Sequence, residues 1–162
     1  METTAKGKLT VEARGEREIV MTRTVDAPRR LVFEAFTKPE LLKRWLLGPE
    51  GWSMPVCEVD LRVGGRYRYL WRQEATGAEM GMGGVFREIV PPQKLVSTEE
   101  FDQPWYPGKG VGTILLTEEN GRTKITQTIR YDSREARDGV LRSPMESGVE
   151  TSYVRLEKML AG

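Results

Sequence analysis

The sequence contains no histidine and one cysteine, Cys57. A lone thiol cannot close an internal disulfide. Without imidazole, the usual zinc sets and the histidine-based triads and dyads are excluded. A metal site would have to be built from carboxylates alone, so neither a metal nor an organic cofactor is expected. Charge of one sign is missing too, with 25 Lys and Arg against 24 Asp and Glu. That balance removes the long-range field that gathers phosphate backbones or anionic lipid. The chain has no apolar run long enough to span a bilayer, and no basic region followed by an apolar signal segment. Nucleic acid and membrane are therefore not expected partners, and the expected location is the cytoplasm. The glycine-rich stretches "GMGG" (81–84) and "GKGVG" (108–112) lack the strand-then-helix setting and the Lys-Ser/Thr of a phosphate cradle.

What is present is a pattern of short strands and helices. Residues 1–15 are polar and are expected to form a flexible arm, with "LTV" at 9–11 its few strand-like positions. "REIVMTRTV" (17–25) alternates enough for a first strand and stops at "DAP", where Asp26 is expected to cap a helix that Pro28 helps to start. "PRRLVFEAF" and "KPELLKRWL" carry apolar stripes of two short helices, the second restarted by Pro39. The last segment places Met145, Val149, Tyr153, Leu156 and Leu160 at helical spacing, predicting a long amphipathic closing helix. Small Gly148 and Ser152 on it are expected to leave room for a cavity.

Between the helices lie strands whose register can be argued. In "CEVDLRVGGRYRYLW" a two-residue Gly-Gly loop would leave both faces mixed. A three-residue loop with Gly65 left-handed instead gathers Cys57, Val59 and Leu61 beside Tyr67, Tyr69 and Trp71, so the bulged loop is expected. "EMGMGGVFREIV" puts Met80, Met82, Gly84 and Phe86 on one side, and "KLVSTEEF" forms the next strand. Asn120-Gly121 predicts a type I′ hairpin that sets Leu116 opposite Ile125 and Ile114 opposite Gln127. Gln127 thereby falls among isoleucines, where a buried amide would find partners in water or ligand within a hollow. Glu99-Glu100 and Glu118-Glu119 read as solvated hairpin charges.

"TRTVDAPRRLVFEAFTKPELLKRWLLGPEGW", "VDLRVGG", "GGVFREIVPPQKLVSTEEF" and "GVETSYVRLEKML" together resemble the START-like, or SRPBCC, superfamily. The branch is the one related to the C-terminal domain of the activator of the heat-shock protein 90 ATPase. The resemblance runs over about residues 17–161 and departs from the family pattern at Leu46, where a second tryptophan commonly follows the position of Trp45. It implies an α+β helix-grip fold: a curved antiparallel sheet wrapped around a long C-terminal helix, with a cavity between them, in one domain over 16–162. It also implies a hydrophobic or amphipathic small molecule as partner, and a homodimer stays open.

On this reading Trp45 and Trp52 form the rim and wall of the cavity entrance. Tyr67, Tyr69, Trp71, Met82 and Phe86 with Phe101, Trp105 and Ile114 supply apolar lining. Glu88 and Gln127 are the polar candidates, and Gly148, Val149 and Ser152 face the hollow from the last helix. Two other functions fit the same chain. A cyclase or dehydratase would need Glu88, Gln127 and a tyrosine to converge with a raised carboxylate pKa. A chaperone-interaction module would present an exposed, charge-complementary sheet face instead of an enclosed pocket.

Overall fold

The computed structural model describes residues 8–104 and 106–161. Strand β1 (Thr10–Arg14) pairs with β2 (Glu18–Val25), and helices α1 (Arg29–Thr37) and α2 (Pro39–Trp45) follow. A meander comes next: β3 (Trp52–Val59), β4 (Arg66–Gln73), β5 (Glu79–Val90), β6 (Lys94–Phe101), β7 (Gly110–Glu119) and β8 (Arg122–Tyr131). Helices α3 (Arg134–Leu141) and α4 (Met145–Ala161) close the chain. The strands make one antiparallel sheet in the order β1-β2-β8-β7-β6-β5-β4-β3. This is the helix-grip α+β architecture, with a curved sheet around the C-terminal helix. The loose arm expected over residues 1–15 does not hold at 10–14. There Thr10 to Arg14 pair in register with Thr22 to Glu18, because Val11 and Ala13 add a ladder to an otherwise open edge.

Residue parity explains which side of each strand meets the core. In β2, Ile19, Met21 and Val25 are buried on the concave side, in line with Ile125, Ile129 and Leu116 across the neighbouring strands. The Asn-Gly hairpin forms as its sequence dictates, with Asn120 and Gly121 both at positive φ and Ile114 paired with Gln127. The β3–β4 hairpin keeps the expected faces but not the expected loop. Cys57 pairs with Tyr69 and Val59 with Tyr67, two residues short of the predicted register. Gly64, not Gly65, is left-handed, and Leu61 is left 41% exposed outside the apolar face. Here the amide of Asp60 bonds the Arg66 carbonyl and that of Gly64 bonds the Phe86 carbonyl, so the turn widens to dock on β5.

The helices depart from the sequence reading in two places. Asp26 does not cap α1: the helix begins at Arg29 with Pro28 as its extended N-cap residue, two residues beyond Asp26. The Asp26 amide instead donates to Glu157 of α4 at 3.2 Å. Helix α3, which the apolar spacing does not announce, is capped by Ser133, whose hydroxyl accepts from the Ala136 amide at 3.1 Å. Its buried Arg137 donates to the carbonyls of Gly15 and Glu18, tying the β1–β2 turn to the helix. Buried Arg23, on the concave parity of β2, reaches Glu150 at 3.3 Å and Glu157 at 3.4 Å. A guanidinium below α4 thus clamps two turns of that helix through its acidic side.

Candidate functional site

The sheet curls away from α4 on the β3–β6 side, and the space left is a cavity of about 610 Å³. The concave strand faces line one side of it, and α2, the loop after it and the N-terminal half of α4 line the other. Aromatic rings make much of the wall. Tyr67 contacts Tyr69 and Phe86 at centroid distances of 5.0 and 5.5 Å, and Tyr69 meets Trp71 edge-on at 5.7 Å. Across the cavity Trp45 stacks on Tyr153 at 5.8 Å and takes Phe36 against its edge at 5.0 Å. The indole N–H groups of Trp45 and Trp71 donate to the carbonyls of Ala35 and Leu46, at 2.9 and 2.7 Å, so those rings present only apolar surface.

Of the residues singled out from sequence, Trp45, Trp52, Tyr67, Tyr69, Trp71, Met82, Phe86, Phe101, Ile114, Gln127, Gly148, Val149 and Ser152 line this cavity. Trp45, only 1% exposed, is inner wall, whereas half-buried Trp52 stands with 40% exposed Met80 toward solvent. Trp105 lies outside the described residues. Glu88 does not reach the cavity. A bulge after Phe86 inserts one residue into β5, so Ile89 turns inward against Leu95 while Glu88 turns outward and pairs with Lys94 at 3.1 Å. Gly148 does border the hollow, but a Cβ there would come within 3.2 Å of Pro49 Cδ. Its lack of a side chain admits the loop at 46–51, which is further fixed where the Ser152 hydroxyl accepts from the Gly48 amide at 2.8 Å.

Gln127 lies on the concave face as its register requires, and its partner is the protein itself. The Tyr153 hydroxyl donates to Gln127 Oε1 at 3.0 Å, correcting the expectation of water or ligand. Gln127→Leu is therefore expected to destabilise by about 1–3 kcal/mol, by stranding a buried hydroxyl, and Tyr153→Phe added to it should recover most of that loss. Urea unfolding of the two single variants and the double variant measures the coupling. Strictly additive costs would show that the two groups do not depend on each other.

The carboxylate in the cavity is Glu99, which sequence reasoning set aside as a solvated charge. Strand β6 alternates Leu95, Ser97, Glu99 and Phe101 inward, and all four line the cavity. That parity was the available signal. Room for the side chain comes from β7, where a Cβ on Gly112 would collide with Glu99 Oε2. Among the described residues no ion pair or hydrogen bond reaches this carboxylate. Glu99 keeps some accessible surface because the cavity admits water-sized groups, yet protein surrounds it, and desolvation raises its pKa to about 7. Burial also pushes the phenols of Tyr67, Tyr69, Tyr131 and Tyr153 far up, and that of Tyr106 to about 12, with Glu99 a secondary cause for all but Tyr153. These hydroxyls stay protonated through neutral pH. Burial likewise raises the Cys57 thiol to about 11, so it is no thiolate nucleophile. Among the described residues no group of three or more Cys, Asp or Glu could hold a metal ion, and no helix is long and apolar enough to cross a membrane.

The fold has counterparts among solved structures. A crystal structure of a protein from Rhodobacter sphaeroides is 28% identical, with a TM-score of 0.88 over 95% of this chain and 99% of its own. A protein from Chromobacterium violaceum is also 28% identical, with a TM-score of 0.77 over 90% of this chain and 98% of its own. An HSP90 activator from Plasmodium falciparum, 21% identical, shares the fold with a TM-score of 0.61 over 86% of this chain and 96% of its own. Among curated proteins none matches. The family model described as activator of Hsp90 ATPase homolog 1-like protein matches residues 26–161, and the chain belongs to that family.

Proposed function

We propose that the protein binds a hydrophobic or amphipathic small molecule in the cavity between its sheet and C-terminal helix. The observation that carries this reading is a cavity of about 610 Å³, open at one side and walled by aromatic and aliphatic side chains with few polar groups among them. That size and lining suit small-molecule sites, which are mostly apolar with a few placed polar groups. Leaving such a wall unfilled forfeits packing that the same residues could make with one another. The cyclase or dehydratase reading loses Glu88, which faces outward beside Lys94, and would have to rest on Glu99 instead. A chaperone-interaction module would not need the hollow at all.

Filling the cavity tests the reading. Ile114→Trp, on the concave face opposite Gln127, adds bulk where there is space for it. It is expected to weaken binding of the neutral fluorophore N-phenyl-1-naphthylamine by at least about tenfold while the circular dichroism stays native, because the added ring takes the ligand's volume. Unchanged affinity in a folded variant would place the binding elsewhere and reject this site.

A further inference from the structure

We propose that the cavity selects an apolar molecule carrying one cationic nitrogen, whose N–H groups are accepted by Glu99. The inference rests on the ligand-binding reading above and adds the chemistry of the ligand's polar end. Among the described residues Glu99 is the one acidic residue in the lining, and neither Lys nor Arg accompanies it there. Buried Arg23, whose charge is felt by Tyr153 of the lining, is committed to Glu150 and Glu157. Arg155, on α4, donates to the Gly48 carbonyl at 2.7 Å and extends toward Glu50 at the surface. An ionised Glu99 therefore offers two acceptor oxygens and a negative charge that the cavity does not balance.

Two hydroxyls of the lining are already engaged. The Tyr67 hydroxyl donates to the Thr98 carbonyl at 2.6 Å, and that of Tyr153 donates to Gln127. Those two donors are spent inside the protein, and with no Lys or Arg among the described lining residues a ligand carboxylate would meet a like charge and no cation. A cation would find the opposite: a charge-assisted acceptor in Glu99 and the aromatic rings of Tyr69, Trp71 and Phe101 along the wall. The absent side chain at Gly112 makes the space in which the carboxylate sits, so its placement is built into two adjacent strands.

The pH dependence distinguishes a cation from a neutral ligand. Tyr67 and Tyr69 from β4, Tyr106 from the loop before β7 and Tyr131 from β8 all feel the Glu99 charge, and all remain neutral at physiological pH. Asp132 also acts on Tyr106, and from α4 the facing titratable group is neutral Tyr153. Glu99 is thus the group that titrates inside the cavity near neutrality. A cation needs it ionised, whereas a neutral acceptor needs it protonated.

Calorimetric titration of the full chain with decylamine, decan-1-ol and decanoate, at about pH 6 and about pH 8.5, tests this because alkylamines stay protonated over that range. Decylamine is expected to bind roughly tenfold tighter at the higher pH, as Glu99 ionises. There it should exceed decan-1-ol by roughly ten- to a hundredfold, the worth of a hydrogen bond to a charged group. Glu99→Gln should bring decylamine down to the alcohol's affinity and abolish its pH dependence. Equal binding of amine and alcohol by the wild-type protein at both pH values, or preference for decanoate, overturns the cationic assignment and leaves the cavity reading standing. Failure of all three to bind overturns both.

Discussion

Glu99→Gln is expected to make the protein more stable at pH 8 by about 3 kcal/mol, although it removes a charge from a highly charged chain. The reason is the environment of the carboxyl group. In the unfolded chain Glu99 titrates near the ordinary value of 4.5, and in the folded protein desolvation holds it near 7. Below the lower value both states carry the proton, so Glu99 contributes no difference between them. Between the two values the folded protein keeps a proton that the unfolded chain has released, so stability falls as pH rises. Above the upper value the full cost of an ionised carboxylate in an apolar cavity is present and constant. A glutamine has the shape of the protonated acid and no ionisation. The variant and the wild type should therefore match near pH 4, diverge through pH 6 and stay apart by the full amount at pH 8. Urea unfolding at those three values reads the difference directly. Equal stability at pH 8 would mean that Glu99 ionises without penalty, hence that a partner offsets its charge. A residue that lowers stability at working pH while lining a cavity is the pattern expected of a group retained for what it binds.

How far the sequence led depends on whether a side chain's place is decided locally. The β7–β8 hairpin was legible because Asn120 and Gly121 need only their own backbone conformations, both at positive φ, to fix every pair from Glu119–Arg122 to Gly110–Tyr131. The β3–β4 turn was not, because its register depends on Gly64 bonding to Phe86 in a third strand. The exchange of Glu88 for Glu99 has the same origin. Parity along β5 points Glu88 inward only if the ladder is unbroken, and the extra residue after Phe86 reverses it. On β6 no bulge intervenes, and Leu95 and Phe101, one step of alternation either side of the Ser97–Glu99 pair, carry Glu99 inward. Composition argued against that assignment, since glutamate is mostly a surface residue, and here the strand period outweighed it. Helix α3 escaped for another reason: its sequence REARDGVL offers only Ala136, Val140 and Leu141 as apolar residues, and Ser133 and the bonds of Arg137 to Gly15 and Glu18 hold it in place.

The final helix combines two tasks along its length, and truncation at two points should separate them. Leu156 is fully buried and lies outside the cavity lining, packed where α4 seals the sheet. Val149, about two turns earlier, is half-buried and faces the hollow. Leu156→Ala removes contacts on all sides and leaves a void that the surrounding strands cannot collapse to fill, so it is expected to cost about 2–5 kcal/mol. Val149→Ala enlarges a space that already exists. It should cost at most about 1 kcal/mol, since the lost methyl groups had neighbours on one side only. Ligand affinity should divide in the opposite sense. The Val149 variant is expected to weaken binding of N-phenyl-1-naphthylamine by several-fold through lost contact, and the Leu156 variant, at temperatures where it is folded, to keep the wild-type affinity. Urea unfolding and fluorophore titration on the same two proteins supply both comparisons. Similar stability losses at the two positions would show that the N-terminal half of α4 packs against the sheet as tightly as the rest, which leaves no room there for a ligand.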